Sequence, residues 1–264
     1  MRPITINKHH QHIIHYWQEN NRLYYIMTSL PILDVKKPKK KPDTAPEPLP
    51  PHAFLMGVVA PPRSGKSNLL MTLIGASHMY GRNYYDEIYY FSPSQNFDDT
   101  TRHVLPKLDN VIQIDDIDQL ENADVLVRSI MMSQSKEDPE ERPKVLCIFD
   151  DMAGTLEKNK QLQKLCTKYR HYGISVIISL QQFKSIPVMI RNSMTCFIMF
   201  NIPSSKEFEK ISYEILDRFP NGQELAQYAT KKRYEFMFAN IEKATMHRNF
   251  DELLYDRSTD PNFD

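Results

Sequence analysis

The run GVVAPPRSGKS, from Gly57 to Ser67, contains residue types that together bind phosphate. Successive backbone N–H groups at the start of a helix can hold phosphate oxygens, Lys66 can reach the terminal phosphates, and Ser67 can ligate Mg²⁺. Gly65 permits a close approach of the backbone to the phosphate. The run therefore predicts a loop that binds ATP and Mg²⁺. Its expected nucleotide contacts are Arg63, Ser64, Gly65, Lys66, Ser67 and Asn68.

Ala60 departs from the phosphate-loop pattern G-x-x-x-x-G-K-[ST], which begins with glycine. A methyl group at this position matters only if the backbone needs a positive φ there. Pro61 and Pro62 remove two N–H donors from the part of the loop that contributes least to phosphate binding, and they stiffen it. The departure leaves the exact loop geometry open, but the lysine and the serine are intact. A Gly-Lys-Ser tripeptide that arose by chance is the alternative.

A second candidate motif, VLCIFDD, places two carboxylates directly after five apolar residues. A buried strand that ends in acidic residues is the Walker B arrangement, in which Asp150 holds the Mg²⁺ shell. Asp151 is then placed to polarise the attacking water. Simple switch GTPases do not use an acidic pair here, so the pair favours steady hydrolysis. An acidic turn after a strand is the alternative interpretation.

A third run, ISVIISLQQF, places Gln181 and Gln182 just past an apolar strand. Open α/β sheets bind their ligands at the carboxyl ends of their strands. A glutamine there can sense the terminal phosphate or position a water molecule by hydrogen bonding. An ordinary polar turn would give the same pattern.

The elements that position these residues alternate along the chain. The apolar run that leads into the phosphate loop is followed by a helical pattern from Ser67 to Met79, and other helical patterns cover 122–132, 156–172 and 205–219. Further strand-like runs read EIYYF, VIQI, VLCIF, ISVIIS, CFIMF and YEFMF. Short runs of β-branched and aromatic residues between helices predict an α/β fold with a mainly parallel sheet and helices on both faces.

The N-terminal part has a different composition. Residues 1–35 contain apolar residues at helical spacing and predict a helical extension. Residues 36–51 read KKPKKKPDTAPEPLPP and predict an extended linker rich in lysine and proline. The lysine run fits a nuclear-import signal, an arm that touches DNA or a plain solvated linker. Residues 52–264 are the predicted ATPase domain.

Composition limits the location more than the partners. Lys plus Arg and Asp plus Glu are 33 each, so net charge argues neither for nor against a nucleic-acid partner. Cys147, Cys166 and Cys196 are widely spaced and lack a metal-ligand pattern, which favours buried thiols in a reducing compartment. No apolar run approaches the roughly 18 residues of a membrane span, and no N-terminal targeting signal is visible. We therefore expect an intracellular protein.

The strand-ending DD, the run KYRHYGISVIISLQQ and the run IPVMIRNSMTCFIMF together resemble the FtsK/HerA superfamily over roughly residues 53–240. They are most similar to its viral branch, the DNA-packaging ATPases of nucleocytoplasmic large DNA viruses, virophages and polinton-like elements. The resemblance implies a RecA-like fold, a homo-oligomeric ring of five or six subunits, and ATP hydrolysis that drives translocation of double-stranded DNA. It makes Gln181 a sensor, Arg170 a candidate arginine finger for a neighbouring subunit, and Arg191 a second candidate.

Local charge supports a DNA partner where net charge does not. Residues 156–191 contain seven Lys or Arg and one acid, Glu157. Lys160, Lys164 and Lys168 recur every four residues and therefore share one helix face. Such a face can contact phosphates without reading bases, as a translocase requires. An ordinary solvated face is the alternative.

These features predict an ATP-driven motor that packages a viral genome in an infected host cell. A HerA-like helicase or a conjugation-type DNA pump is an alternative within the same enzyme class. A nucleotide-regulated scaffold or capsid adaptor is the alternative from another class, although such a binder would not need Asp151, Gln181 or Arg170. Capsid vertex proteins are candidate partners, and association with the virion is a second candidate location.

Overall fold

The computed structural model describes residues 45–81, 84–93, 98–115 and 122–260, together with the backbone of two short N-terminal strands. The chain divides into two compact units, Met1–Lys41 and Pro42–Asp264. The lysine run of the linker lies outside the described residues, so all three interpretations of it stay predictions.

The N-terminal unit contains a β-hairpin where the sequence pattern predicted a helix. Strands β1 (His15–Glu19) and β2 (Arg22–Ile26) pair antiparallel, with Glu19 opposite Arg22. The helical prediction is wrong for these segments. Their apolar residues are mostly aromatic or β-branched, types that favour strands. Two asparagines separate the strands in the sequence, and asparagine is common in tight hairpin turns.

The second unit is built on a nine-stranded sheet. Its strands are β3 (Leu55–Val59), β4 (Glu87–Phe91), β5 (Val111–Ile114), β6 (Val145–Asp150), β7 (Ile174–Leu180), β8 (Cys196–Phe200), β9 (Phe236–Asn240), β10 (Thr245–Arg248) and β11 (Glu252–Asp256). The order across the sheet is β5-β4-β6-β7-β3-β8-β9-β10-β11. In this spatial order, the first six strands, from β5 across to β8, are parallel to one another. Strands β9, β10 and β11 each run antiparallel to the strand before them. The mainly parallel α/β sheet is confirmed.

Helices connect most of the strands. Their bounds are α1 (Lys66–Gly75), α2 (Asp99–Val104), α3 (Ala123–Lys136), α4 (Ala153–Lys158), α5 (Lys160–Tyr172), α6 (Val188–Arg191), α7 (Ser205–Glu214) and α8 (Gly222–Ala229). The single helix predicted over 156–172 is interrupted at Asn159, whose side chain caps α5 by accepting the Leu162 N–H at 2.7 Å. Within the described ranges, no helix is long and apolar enough to cross a bilayer.

The sheet is covered on both faces because alternate residues of its strands belong to different hydrophobic clusters. Leu55 and Val59 of β3 pack in the cluster that includes buried residues of α3 and α5. Met56 and Val58 pack in the cluster that includes buried residues of α1. Strands buried on both faces read as continuous apolar runs, which is why they could be recognised in the sequence.

The last residues of the predicted linker, 45–51, belong to the folded unit. Leu49 is 2% exposed and packs in the same cluster as α1. The Tyr80 hydroxyl donates to the carbonyl of Pro50 at 2.9 Å, and Lys243 pairs with Glu47 at 2.7 Å. Residues 45–51 are therefore part of the folded unit. Proline-rich chain can pack in this way where its missing N–H is not needed and one large apolar side chain is buried.

The three cysteines are free and buried, as the sequence analysis expected. Burial raises the pKa of the Cys196 thiol to about 12. The thiol is therefore protonated at neutral pH, which makes it a poor nucleophile.

We predict that Gly222→Ala destabilises the fold. A Cβ at Gly222, the first residue of α8, would lie 2.2 Å from the carbonyl oxygen of Leu216, so the backbone must shift. We expect the free energy of unfolding in urea to fall by about 1–3 kcal/mol, the range for overpacking. Gly154→Ala in α4 is the control, because its Cβ would meet no atom within 4 Å. It should be neutral or stabilising by up to about 1 kcal/mol. Equal losses in both variants would contradict this steric argument.

Candidate active site

The carboxyl ends of three parallel strands meet at one edge of the sheet. Val59 of β3 lies opposite Leu180 of β7, and Asp150 of β6 lies opposite Ser179 of β7. Because β7 lies between β3 and β6, the residues that follow these strands are close together. The phosphate loop, the acidic pair and Gln181 therefore converge, as the sequence analysis expected.

The phosphate loop explains why alanine fits at its first position. Ala60 is fully buried, and its N–H donates to the carbonyl of Leu180 at 3.0 Å. The positive φ angles of the loop are found instead at Arg63, at 62°, and at Gly65, at 101°. Gly65 also has Tyr234 against it, so an added Cβ would lie 3.3 Å from the tyrosine ring. The loop therefore requires glycine at position 65 but not at position 60.

Lys66, the first residue of α1, holds both acidic residues of the site. Its Nζ lies 3.0 Å from Asp150 Oδ1 and 3.4 Å from Asp151 Oδ1. Asp150 is 4% exposed, and its Oδ2 accepts a hydrogen bond from the Tyr90 hydroxyl at 3.0 Å. Its Oδ1 is buried and has the lysine charge nearby but no hydrogen bond of good geometry. One oxygen of Asp150 thus remains able to take a further donor.

Tyr90 is kept protonated by its surroundings. Burial, followed by the negative charge of Asp150 and the hydrogen bond to it, raises the pKa of the Tyr90 hydroxyl well above its usual value. The hydroxyl therefore remains a donor to Asp150 over the whole physiological pH range.

Asp151 and Gln181 form a pair at the mouth of the site. The Gln181 side-chain amide donates to Asp151 Oδ1 and Oδ2 at 3.3 and 3.1 Å. Asp151 has a φ of 59°, and its N–H donates to the carbonyl of Ser179 at 2.8 Å. The turn after β6 thereby directs the second carboxylate toward the strand that carries the glutamine.

Asp98 is a third carboxylate at the phosphate loop. Its Oδ2 accepts a hydrogen bond from Ser67 Oγ at 2.6 Å, and its Oδ1 accepts the N–H of Thr101 at 2.9 Å as the N-cap of α2. Burial alone would raise the pKa of Asp98, but the hydrogen bonds from Ser67 and Thr101 outweigh it, and the pKa is lowered. Asp98 is therefore ionised at neutral pH.

A cavity of about 560 Å³ lies over these groups. Five of the six residues predicted to contact the nucleotide line it, namely Arg63, Gly65, Lys66, Ser67 and Asn68. Ser64 does not line it, and its buried Oγ has no hydrogen-bond partner among the described residues. The cavity is also lined by Asp98, Arg233 and Tyr234, which the sequence analysis missed.

Arg233 and Tyr234 were missed because the sequence analysis looked for site residues after strands, whereas these two residues come before one. They precede β9, an antiparallel strand, so the start of β9 lies beside the carboxyl end of β8. The Arg233 guanidinium lies 4.6 Å from the centre of the Tyr234 ring. The signal available for Asp98 was the run DDTT after a strand, a helix N-cap pattern.

A second cavity of about 650 Å³ adjoins the first and shares Gly65, Asn68 and Tyr234 with it. Its lining is largely apolar and aromatic, with Leu69, Met79, Phe200, Phe236 and Phe250. We refer to these two adjoining cavities as the cleft, which is polar at the phosphate loop and apolar beyond Tyr234.

The two candidate arginines lie outside this cleft. Arg191 is 3% exposed, pairs with Glu214 at 2.8 Å and has its guanidinium 4.9 Å from the centre of the Phe183 ring, so it packs α6 against α7. Arg170 is exposed at the end of α5 and forms an ion pair with Glu242. It precedes β7, whereas Gln181 follows it, so the length of the strand, about 20 Å, separates Arg170 from its own site. The structure thus does not bring either arginine into the site of its own chain.

The residues present fit Mg²⁺ bound together with phosphate. Ser67 Oγ and the carboxylate of Asp150 are hard oxygen donors, the type that Mg²⁺ prefers. Among the described residues, no group of three acidic, histidine or cysteine side chains could hold a metal by itself. Mg²⁺ usually keeps several waters and takes few protein ligands beside substrate phosphates, which agrees with this set.

The region that contains the phosphate loop, the acidic pair and Gln181 matches a known protein family. The family model for the Poxvirus A32 protein matches residues 45–216. The comparison with curated proteins found no match.

Solved structures with a similar fold include a genome packaging NTPase from Sulfolobus turreted icosahedral viruses. The genome packaging NTPase B204 from Sulfolobus turreted icosahedral virus 2 in complex with sulfate has a TM-score of 0.56 at 16% identity, covering 76% of this chain and 98% of that chain. Its complex with ATP-gammaS has a TM-score of 0.53 at 18% identity with the same coverage. B204 from Sulfolobus Turreted Icosahedral Virus, described as a DNA-packaging ATPase, has a TM-score of 0.54 at 16% identity, covering 74% of this chain and 96% of that chain. At these identities the likeness confirms the fold class.

We predict that Tyr90→Phe destabilises the folded protein through Asp150. The change leaves a buried carboxylate oxygen without its donor, so the free energy of unfolding should fall by about 1.5–3 kcal/mol. Urea unfolding measures it. Tyr89→Phe is the control on the same strand, because Tyr89 donates to Glu87 at the partly exposed face and should lose less than half as much. Equal losses would show that Asp150 does not depend on Tyr90.

Proposed function

Because the chain belongs to the Poxvirus A32 protein family, we propose that it is an ATPase whose hydrolysis of ATP drives a viral genome into its capsid. Membership of this family confirms the resemblance to the viral packaging branch of the FtsK/HerA superfamily. The observation that carries the proposal is the position of Lys66. Its ammonium group lies between Asp150 and Asp151 in a cavity that is lined by the phosphate loop.

The lining of the cleft supports binding of a nucleoside triphosphate. The polar cavity takes the phosphates on the N–H groups at the start of α1 and on Lys66. The apolar cavity takes the base, because aromatic side chains such as Phe236 and Phe250 bury a flat ring. Tyr234 lines both cavities and lies where the sugar would join the two parts.

Hydrolysis requires an activated water, and we assign its activation to Asp151. The carboxylate of Asp151 can accept a proton from a water that attacks the terminal phosphate. The Gln181 amide holds this carboxylate through hydrogen bonds of 3.3 and 3.1 Å. Lys66 stabilises the negative charge that develops on the phosphate. Mg²⁺, held by Ser67 and Asp150, supplies further charge stabilisation when it is bound.

An arginine from a second subunit completes the proposed site. Arg170 lies on the surface, far from the site of its own chain, so it can act only on the site of a neighbour. Such an arrangement needs a homo-oligomer. We propose a ring, in which each Arg170 exchanges its exposed partner Glu242 for a phosphate of the adjacent subunit. We retain five or six subunits as the expected sizes of this ring.

The exposed lysines of α5 form the proposed contact with double-stranded DNA. Lys160, Lys164 and Lys168 are exposed, whereas Leu162 and Leu165 on the other side of the helix are fully buried. The backbone of α5 kinks at Lys168, where φ is -125° and ψ is 18°. Exposed amines such as these can contact phosphates without reading the sequence of the bases. The protein would act at the site of virion assembly, where the capsid vertex is a candidate partner.

We predict that turnover of ATP rises when double-stranded DNA is added and is lost in two site variants. Lys66→Ala removes the phosphate ligand, and Asp151→Asn removes the base while asparagine still tolerates a positive φ. Each change should lower kcat at least about 100-fold. Gln181→Ala should also lower kcat, whereas Gln182→Ala, the adjacent exposed residue, should not. Phosphate release measures all of these.

The outcomes separate the candidate functions. Wild-type turnover in Lys66→Ala would exclude the site. Turnover that is indifferent to DNA would exclude the packaging motor, the helicase and the DNA pump together. Binding of ATP without any turnover would favour the nucleotide-regulated scaffold.

We predict that replacing Lys160, Lys164 and Lys168 by alanine weakens DNA binding at all sequences. Each lost phosphate contact lowers the slope of log K against log salt by about 0.9, so the slope should fall by up to about 3. A filter-binding or anisotropy titration at several salt concentrations measures it. Alanine at Lys107, Lys136 and Lys206, which are exposed on other elements, is the control for charge alone. An equal fall in both triple variants would show that α5 is an ordinary solvated face.

A further inference from the structure

The hydroxyl of the phosphate-loop serine has an unexpected partner. Asp98 belongs neither to the loop nor to the acidic pair, yet its Oδ2 lies 2.6 Å from Ser67 Oγ. Its Oδ1 is occupied by the N–H of Thr101 at 2.9 Å. Both oxygens have fixed partners, so the carboxylate has one orientation.

Asp150, the last residue of β6, has other partners. Asp150 receives the Tyr90 hydroxyl on Oδ2 and the Lys66 ammonium near Oδ1, at 3.0 Å in each case. No hydrogen bond joins Ser67 to Asp150 in the structure, where the Ser67 proton goes to Asp98. Two different carboxylates thus hold the serine and the lysine of the loop.

The direction of this hydrogen bond decides what the serine can do. A hydroxyl has one proton and two lone pairs. Since the proton is donated to Asp98, the lone pairs of Ser67 Oγ remain available to a cation. We propose that Asp98 is a positioning residue that presents Ser67 Oγ as a ligand for Mg²⁺ in the nucleotide-bound site, and this rests on the proposed function.

Two simpler roles for Asp98 make different predictions. Capping of α2 uses only Oδ1, so a role as a cap alone gives Oδ2 no function. A role as a direct metal ligand would make the contribution of Asp98 independent of Ser67. The positioning role requires that the effect of Asp98 on the metal vanish when the serine hydroxyl is absent.

Asp98→Asn is the informative substitution. The N–H of Thr101 requires an oxygen at the capping position, so the amide nitrogen of asparagine must face Ser67. The amide then donates to the hydroxyl and occupies one of its lone pairs. The cap is preserved while the hydrogen bond to Ser67 is reversed.

The experiment measures binding of Mn²⁺, as a probe for Mg²⁺, to the complex of the protein with ADP, with free Mn²⁺ followed by electron paramagnetic resonance. Asp98→Asn should weaken Mn²⁺ about tenfold, the lower end of the effect of groups that orient metal ligands. The affinity for ADP without metal should stay within about twofold of wild type. This measurement is the control for the loop itself, because a change in the hydrogen bonds of the loop would alter the affinity for ADP. Asp99→Asn, the exposed neighbouring acid, should change neither affinity.

The double variant provides the decisive comparison. The double variant Ser67→Ala, Asp98→Asn should bind Mn²⁺ no more weakly than Ser67→Ala alone. The proposal is overturned if Asp98→Asn binds Mn²⁺ like wild type. It is also overturned if Asp98→Asn lowers the Mn²⁺ affinity by the same factor when Ser67 is already alanine. Failure of the wild type to bind ADP at all would overturn the proposed function and this proposal with it. Normal ADP binding with unchanged Mn²⁺ affinity would overturn this proposal alone.

Discussion

The contact between Lys66 and Asp150 is the interaction on which the site depends. A carboxylate as deeply buried as Asp150 is strongly disfavoured unless a cation and hydrogen bonds compensate it. Lys66 provides the charge at 3.0 Å and Tyr90 the hydrogen bond, and both come from other parts of the chain. The contact is possible only because β3 and β6 end at the same level on either side of β7. Sheet order and site are thus one constraint, and a phosphate that draws Lys66 away must change the balance of charge at Asp150.

Much of this arrangement could be predicted from the sequence, because the central strands are buried on both faces. Such strands appear as apolar runs, and a polar residue that follows one must lie at the sheet edge. That reasoning placed Lys66, Asp150, Asp151 and Gln181 at one edge of the sheet, because the carboxyl ends of parallel strands all lie there. Their contact also depends on the positions of β3 and β6 on either side of β7, which the sequence does not give.

The remaining parts depend on contacts between residues distant in the sequence. Arg191 was the second candidate arginine, but it pairs with Glu214, which follows an intervening strand, and the Arg191 side chain is buried. Arg233 and Tyr234 precede a strand, which is the wrong end for parallel topology, and only the antiparallel pairing of β9 brings them to the ligand edge. Asp98 could be identified as a helix cap, but its second contact, with Ser67, is set by tertiary packing. In the N-terminal unit, the apolar residues have helical spacing but are mostly of types that favour strands, and antiparallel pairing decided between the two.

Ala60, Pro61 and Pro62 have a consequence for the entropy of binding. Glycine populates many backbone conformations, whereas alanine and proline populate few, so this loop has less freedom to lose when it closes on a ligand. The Ser64 N–H already donates to the carbonyl of Pro61 at 3.3 Å, so the loop keeps its own turn. A loop that is ordered before the ligand arrives retains more of its contact energy as affinity. The departure from the glycine pattern is therefore a form of preorganisation, achieved in residues that do not themselves donate to the phosphates.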